Sequence, residues 1–375
     1  MSGQLGSREL PPWLVGQTST SIYWSQLSDA QRATIYFIVA YFVAIFAFWN
    51  GLFGLRRLVD RDWWPESKWA SPPILWPFKI LTVLIHEMGH AVVGCIVGFP
   101  DQGVRYIHVD VWEGGDTGFT NGFKPDWRFM TSVMAGYTIS CFVGCGLVFC
   151  GFDALYSKYA SLALGALLLV TLFICIVTHD WVAWKFARIF RSHEIAKAKE
   201  KQWRADRSPD DDRRGKAAMM SLDIMMSVSG LFLIILFVSW YLSDSIALRF
   251  VILFMGEMSA LYAIWDIVLD GLRSGADAGS DITEFVRILE LRKLHKKEKQ
   301  VSQEELLRRM RPLEKKVAVF WLLLQITALI LAIILGLRYL PYSFTEQALR
   351  ARSFLPSPNH WEPADTLAEA KAALQ

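Results

Sequence analysis

The sequence predicts an all-α polytopic membrane protein, with about seven transmembrane helices and a short cytosolic-side β-hairpin after the second of them. Three observations predict it. Of 375 residues, 53% are hydrophobic, including 24 Phe and 16 Trp, which exceeds ordinary globular usage before glycine is counted. These residues fall in blocks long enough to cross a bilayer, separated by charged segments such as Lys185 to Lys216 and Asp281 to Lys316. The five cysteines (Cys95, Cys141, Cys145, Cys150, Cys175) all lie inside apolar blocks without CxxC spacing, so they read as small buried hydrophobes rather than a disulfide framework. A net charge of only +3, from 39 basic and 36 acidic residues, suggests no nucleic-acid partner. The partner that the composition does imply is the lipid bilayer.

Taken in order, residues 1–33 read as a polar, loosely ordered tail without an apolar signal core. Residues 34–73 comprise the first span, Thr34 to about Gly54, and a linker whose Trp63, Trp64 and Trp69 suit a membrane interface. Residues 74–285 form the core. Its spans are Ile74 to Phe99, Phe129 to Gly151, Ala160 to Trp184, Ala217 to Leu242 and Ile246 to Leu272. Between the first two of these, the β-branched stretch Gly103 to Trp112, a turn at Glu113 to Asp116 and a return at Thr117 to Thr120 predict the hairpin. His108 is read there as an ordinary strand residue. Gly136, Ser140 and Gly144, spaced by four, put small residues on one face of the third span, where they let helix backbones approach. Residues 286–375 hold a charged helix, the seventh span from Val317 to about Leu337, and a tail.

Basic residues near span ends set the orientation. The segments after the fourth and sixth spans carry most of the Lys and Arg, so both are assigned to the cytosol. Strict alternation then puts the N-terminus and the hairpin there too. It also leaves Arg56, Arg57, Arg61 and Lys68, after the first span, on the side the rule disfavours.

The chemistry is concentrated in the second span, where His86-Glu87-Met88-Gly89-His90 interrupts an apolar run. On a helix advancing about 100° per residue, His86 and His90 lie only about 40° apart, one turn above the other. Two imidazoles so placed can bind one Zn2+, and Glu87 at the edge of the same face can take a proton from water. An ionisable side chain at mid-membrane costs roughly 2.5 to 3.5 kcal/mol, and here three fall within five residues.

A catalytic zinc site has three protein ligands and an open position. The carboxylates at or near membrane depth are Asp180, Asp223, Glu257, Asp266 and Asp270. Asp180 and Asp223 lie near the boundary, where a charge is cheap, and Glu257 lies on the far side of Asp266 as a packing or solvated residue. Depth relative to His86 and His90 favours Asp266, with Asp270, one turn lower on the same face, as the alternative.

This arrangement resembles the site-2 protease clan of intramembrane zinc peptidases, and within it the M50B-like branch. The resemblance rests on His86-Glu87-Met88-Gly89-His90-Ala91 in a span, the hairpin, the small-residue span, and Trp265-Asp266-Ile267 followed by Ser280-Asp281. It covers about residues 74 to 285. It implies zinc held by His86, His90 and one aspartate, with Glu87 as the catalytic base. Leu269-Asp270-Gly271 matches another element of the clan, but no Asn-Pro precedes it, and no inserted PDZ-like domain separates the spans. The expected reaction is hydrolysis of peptide bonds in or beside membrane helices, with single-pass membrane proteins as substrates. The hairpin is expected either to receive an extended substrate as an added strand or to cap the site. The competing class is a non-enzymatic scaffold or transporter with a structural metal. The pair of Gly/Pro-interrupted spans that would mark a transporter is not found.

Overall fold

The computed structural model describes residues 24–48, 75–99, 104–110, 114–119, 126–178, 209–268, 280–296 and 302–354. Seven helices among them are long and apolar enough to cross a membrane. They are α1 (Asp29–Phe48), α2 (Trp76–Gly98), α3 (Trp127–Cys150), α4 (Ala154–Thr178), α5 (Pro209–Tyr241), α6 (Ile246–Asp266) and α8 (Gln303–Tyr339). Two shorter helices, α7 (Asp281–Lys296) and α9 (Phe344–Arg352), two strands, β1 (Val104–Asp110) and β2 (Gly114–Phe119), and 3-10 turns at Trp24–Gln26 and Leu242–Ser245 complete the described fold. The protein is a multi-pass integral membrane protein.

Local chemistry explains where the central helices begin. Pro77 sits in the first turn of α2, where a missing N–H leaves no helical bond unmade. The Asp126 carboxylate accepts from the Arg128 and Phe129 amides and starts α3. In α2 and α6, 67% of the apolar window is enclosed by protein, against 17% in α1 and α8. α2 and α6 are therefore the centre of the bundle, and α3 packs against both. Its small residues set that distance: a Cβ on Gly144 would lie 2.6 Å from the Ala260 nitrogen. Beside it the Ser259 hydroxyl donates to the Ser140 carbonyl at 3.1 Å. The small-residue face thus serves α6 as well as the motif helix.

Ring contacts fix the helix directions. Phe37 meets Phe250, Tyr41 meets Phe254 and Phe46 meets Trp265, so α1 and α6 run in parallel. Phe78 meets Phe254 and His86 meets Tyr262, so α2 is parallel to them as well. α1 and α2 therefore cross in the same direction, which corrects the strict alternation read from the sequence. The start of α1 lies against the end of α8, where Gln31 Nε2 donates to the Leu337 carbonyl at 2.6 Å. That end is opposite the hairpin. Arg56, Arg57, Arg61 and Lys68 lie outside the described residues, but the helix before them ends on the hairpin side.

The end away from the hairpin is tied by Arg249, which is fully buried. Its guanidinium donates to the carbonyls of Gly151 (2.9 Å) and Ala30 (2.7 Å), to Gln347 Oε1 (2.8 Å) and to the Thr34 hydroxyl. Nearby, Arg350 pairs with buried Asp153 at 2.9 Å.

β1 and β2 pair antiparallel from Val104↔Phe119 to Asp110↔Gly114, with a bulge between Val104 and Tyr106. The return strand starts at Gly114, three residues earlier than expected, and His108 lies within β1 opposite Asp116.

Candidate metal centre

The site forms where the middle of α2, the first half of α3 and the start of α7 meet. His86 and His90 are 4% and 8% exposed, and their Nε2 atoms stand 3.1 Å apart. The His90 Nδ1–H donates to the Ser132 carbonyl at 2.8 Å. A carbonyl only accepts, so the proton is on Nδ1 and the Nε2 lone pair points into the site.

The carboxylate brought to the imidazoles is Asp281. Its Oδ2 lies 3.0 Å from His86 Nε2 and 3.1 Å from His90 Nε2. Burial works against its charge, but the two imidazoles outweigh that and hold its carboxyl well below the usual range. Asp266, expected in this place, lies to one side: its Oδ2 accepts from the Tyr137 hydroxyl at 2.9 Å. Asp270 and Asp180 lie outside the described residues, as does the Asp223 side chain. Glu257 is buried rather than solvated, and its Oε1 has no hydrogen-bond partner among the described residues.

Depth along a span misses Asp281 because it belongs to no span. It is the first residue of the polar helix α7, preceded by Ser280, whose Oγ accepts the Thr283 amide at 3.3 Å. Thr283 in turn bonds Glu314 of α8. A helix start, not a helix middle, meets the histidines. The signal available was Ser280-Asp281, one of the elements of the family resemblance.

The donor set fits a small cation. Ligand atoms of a tetrahedral zinc stand about 3.3 Å apart given metal–ligand distances near 2.0–2.2 Å, and the three atoms here face one another at 3.0 to 3.1 Å. Among the described residues, His86, His90 and Asp281 are the group able to hold a metal. Gly136 leaves room for it: a Cβ there would collide with Nε2 of both histidines.

Glu87, 3% exposed, points from the next position of α2 toward the hairpin. The Thr117 hydroxyl donates to its Oε2 at 2.6 Å. A Cβ on Gly115 would collide with the Glu87 carboxylate, so β2 lies directly over the side chain.

Fold and site together define a polytopic membrane protein with an HExxH helix at its centre. Residues 38–192 match the family model described as Peptidase M50B-like, so this part of the chain is similar to the M50 peptidases. The matched stretch holds His86, Glu87, His90 and Gly136 and ends before α6 and α7, so it does not include Asp266 or Asp281. No curated protein and no solved structure matches the chain.

Proposed function

We propose that the protein is a zinc-dependent intramembrane endopeptidase acting on peptide bonds in or next to the transmembrane segments of single-pass membrane proteins. The observation that carries this reading is the convergence of His86, His90 and Asp281 beside Glu87. In this reading those three residues hold Zn2+, with Asp281 in the place that depth gave to Asp266. When bound, the zinc supplies Lewis acidity toward a carbonyl oxygen and lowers the pKa of water.

The chain's own residues do the rest. Glu87 accepts the proton of the attacking water and returns it to the leaving amine. Its burial excludes bulk solvent, which strengthens that hydrogen bond. His90 keeps its lone pair aimed inward because Ser132 holds its other nitrogen. A helical substrate hides its carbonyls in hydrogen bonds and must unwind. In this reading the two-stranded sheet beside Glu87 receives an extended substrate segment as an added strand.

The test is profiling of newly formed protein N-termini in membranes from cells expressing the wild type or Glu87→Gln. Termini within or a few residues from apolar spans should accumulate only with the wild type. Identical sets, together with full complementation of a deletion by Glu87→Gln, would favour a scaffold or transporter with a structural metal.

A further inference from the structure

The two histidines are held differently. His90 is oriented by a hydrogen bond from Nδ1 to the Ser132 carbonyl. The His86 Nδ1 is buried and has no hydrogen-bond partner among the described residues. A metal-binding histidine ordinarily uses that nitrogen to fix its ring. At His86 the ring is instead enclosed by two tyrosines set edge-on: Tyr137 at 5.1 Å and Tyr262 at 5.7 Å between centroids. Tyr137 is fully buried, and its hydroxyl donates to Asp266 Oδ2 at 2.9 Å. Tyr137 also directly follows Gly136, the residue that makes room for the histidine nitrogens.

We propose that Asp266 and Tyr137 are a positioning pair for His86. Asp266 fixes the Tyr137 hydroxyl, and the Tyr137 ring fixes the imidazole in place of the absent hydrogen bond at Nδ1. Asp266 thus supports the metal site through another side chain. The order of contacts is carboxylate, phenol, imidazole, running from the end of α6 through α3 to α2. This inference rests on the reading of His86, His90 and Asp281 as metal ligands, and it gives Trp265-Asp266-Ile267 a role other than ligation.

The experiment measures Zn2+ affinity by competition with a chromophoric chelator, and the visible spectrum of the Co2+-substituted full-length protein in detergent. Partners of metal-bound histidines typically change affinity by about 10- to 100-fold. Tyr137→Phe and Asp266→Ala should each weaken Zn2+ binding by roughly that factor and alter the Co2+ spectrum. The double variant should be no weaker than the worse single one, since both remove the same contact. Asp266→Asn, which keeps an acceptor oxygen, should restore most of the affinity.

Abolished metal binding in both Asp266→Ala and Asp266→Asn, with Tyr137→Phe unaffected, would make Asp266 a ligand and overturn the proposal. Wild-type affinity and spectrum in Tyr137→Phe and Asp266→Ala would overturn it as well. Retention of metal by His90→Ala would instead remove the metal-site reading beneath it. Tyr137→Phe preserves the ring and its packing, so the comparison survives if Asp266→Ala does not fold.

Discussion

Thr117 on the second strand of the hairpin donates its hydroxyl to Oε2 of Glu87 at 2.6 Å, the acceptor that the peptidase reading needs for a proton. The described conformation is therefore one in which the hairpin covers the base. Thr117→Val removes the donor at nearly constant volume. Bonds of this kind, to a charged group, are worth about 1.5–3 kcal/mol. The expected result is retained zinc, faster proteolytic nicking of the hairpin, and cleavage of membrane substrates raised up to about tenfold. Lowered cleavage with an intact hairpin would show that Thr117 orients Glu87 rather than covering it.

Gly136→Ala tests the space between the histidines. Alanine favours a helix over glycine by about 1 kcal/mol, so α3 should form at least as well. The added Cβ nevertheless falls on both Nε2 atoms. Circular dichroism should be unchanged while elemental analysis finds the zinc lost. Full zinc content in Gly136→Ala would place the metal elsewhere.

Removing ligands should separate from removing the base. The wild type in detergent is expected to carry about one zinc per chain, consistent with three ligands and an open position. His90→Ala and Asp281→Ala should each lose it. Glu87→Gln should keep it, with cleavage reduced about 10²- to 10⁴-fold, the usual effect of removing a general base. If Asp281→Ala keeps full stoichiometry, the carboxylate at 3.0 Å from His86 is not a ligand.

The direction of α1 is tested by cysteine labelling in a background without native thiols. Ser25 and Glu304 are both exposed, the first just ahead of α1 and the second at the start of α8. Because α1 begins beside the end of α8, cysteines at these positions should react from opposite faces of the membrane. Labelling of both from one face would restore the strict alternation.

Local patterns carried much of this in the sequence. His86, Glu87 and His90 were legible because a helix repeats every 3.6 residues, and charges inside an apolar run are costly enough to need a reason. The hairpin was legible from β-branched content between Gly103 and Trp112. Asp281 was not, because sequence assigns depth only to residues within a span, and Asp281 reaches the histidines from a helix that starts beside them. The direction of α1 was not legible either. Counting spans assumes that each reverses the last, whereas direction is set by which rings meet, such as Phe46 with Trp265.

Arg249 has a mechanical consequence. Its guanidinium joins the ends of α1, α3, α6 and α9 in a fully buried setting, where leaving such a charge unpartnered costs several kcal/mol. At the opposite end, the cover over Glu87 is held by Val109 in the apolar core and by the Thr117 hydroxyl, which bonds the Glu87 Oε2 and, more weakly, its carbonyl. The polar ties at the two ends therefore differ: one guanidinium joins four helices at one, and one hydroxyl meets one carboxylate at the other. In the peptidase reading, a substrate enters at the hairpin end while Arg249 keeps the other end together.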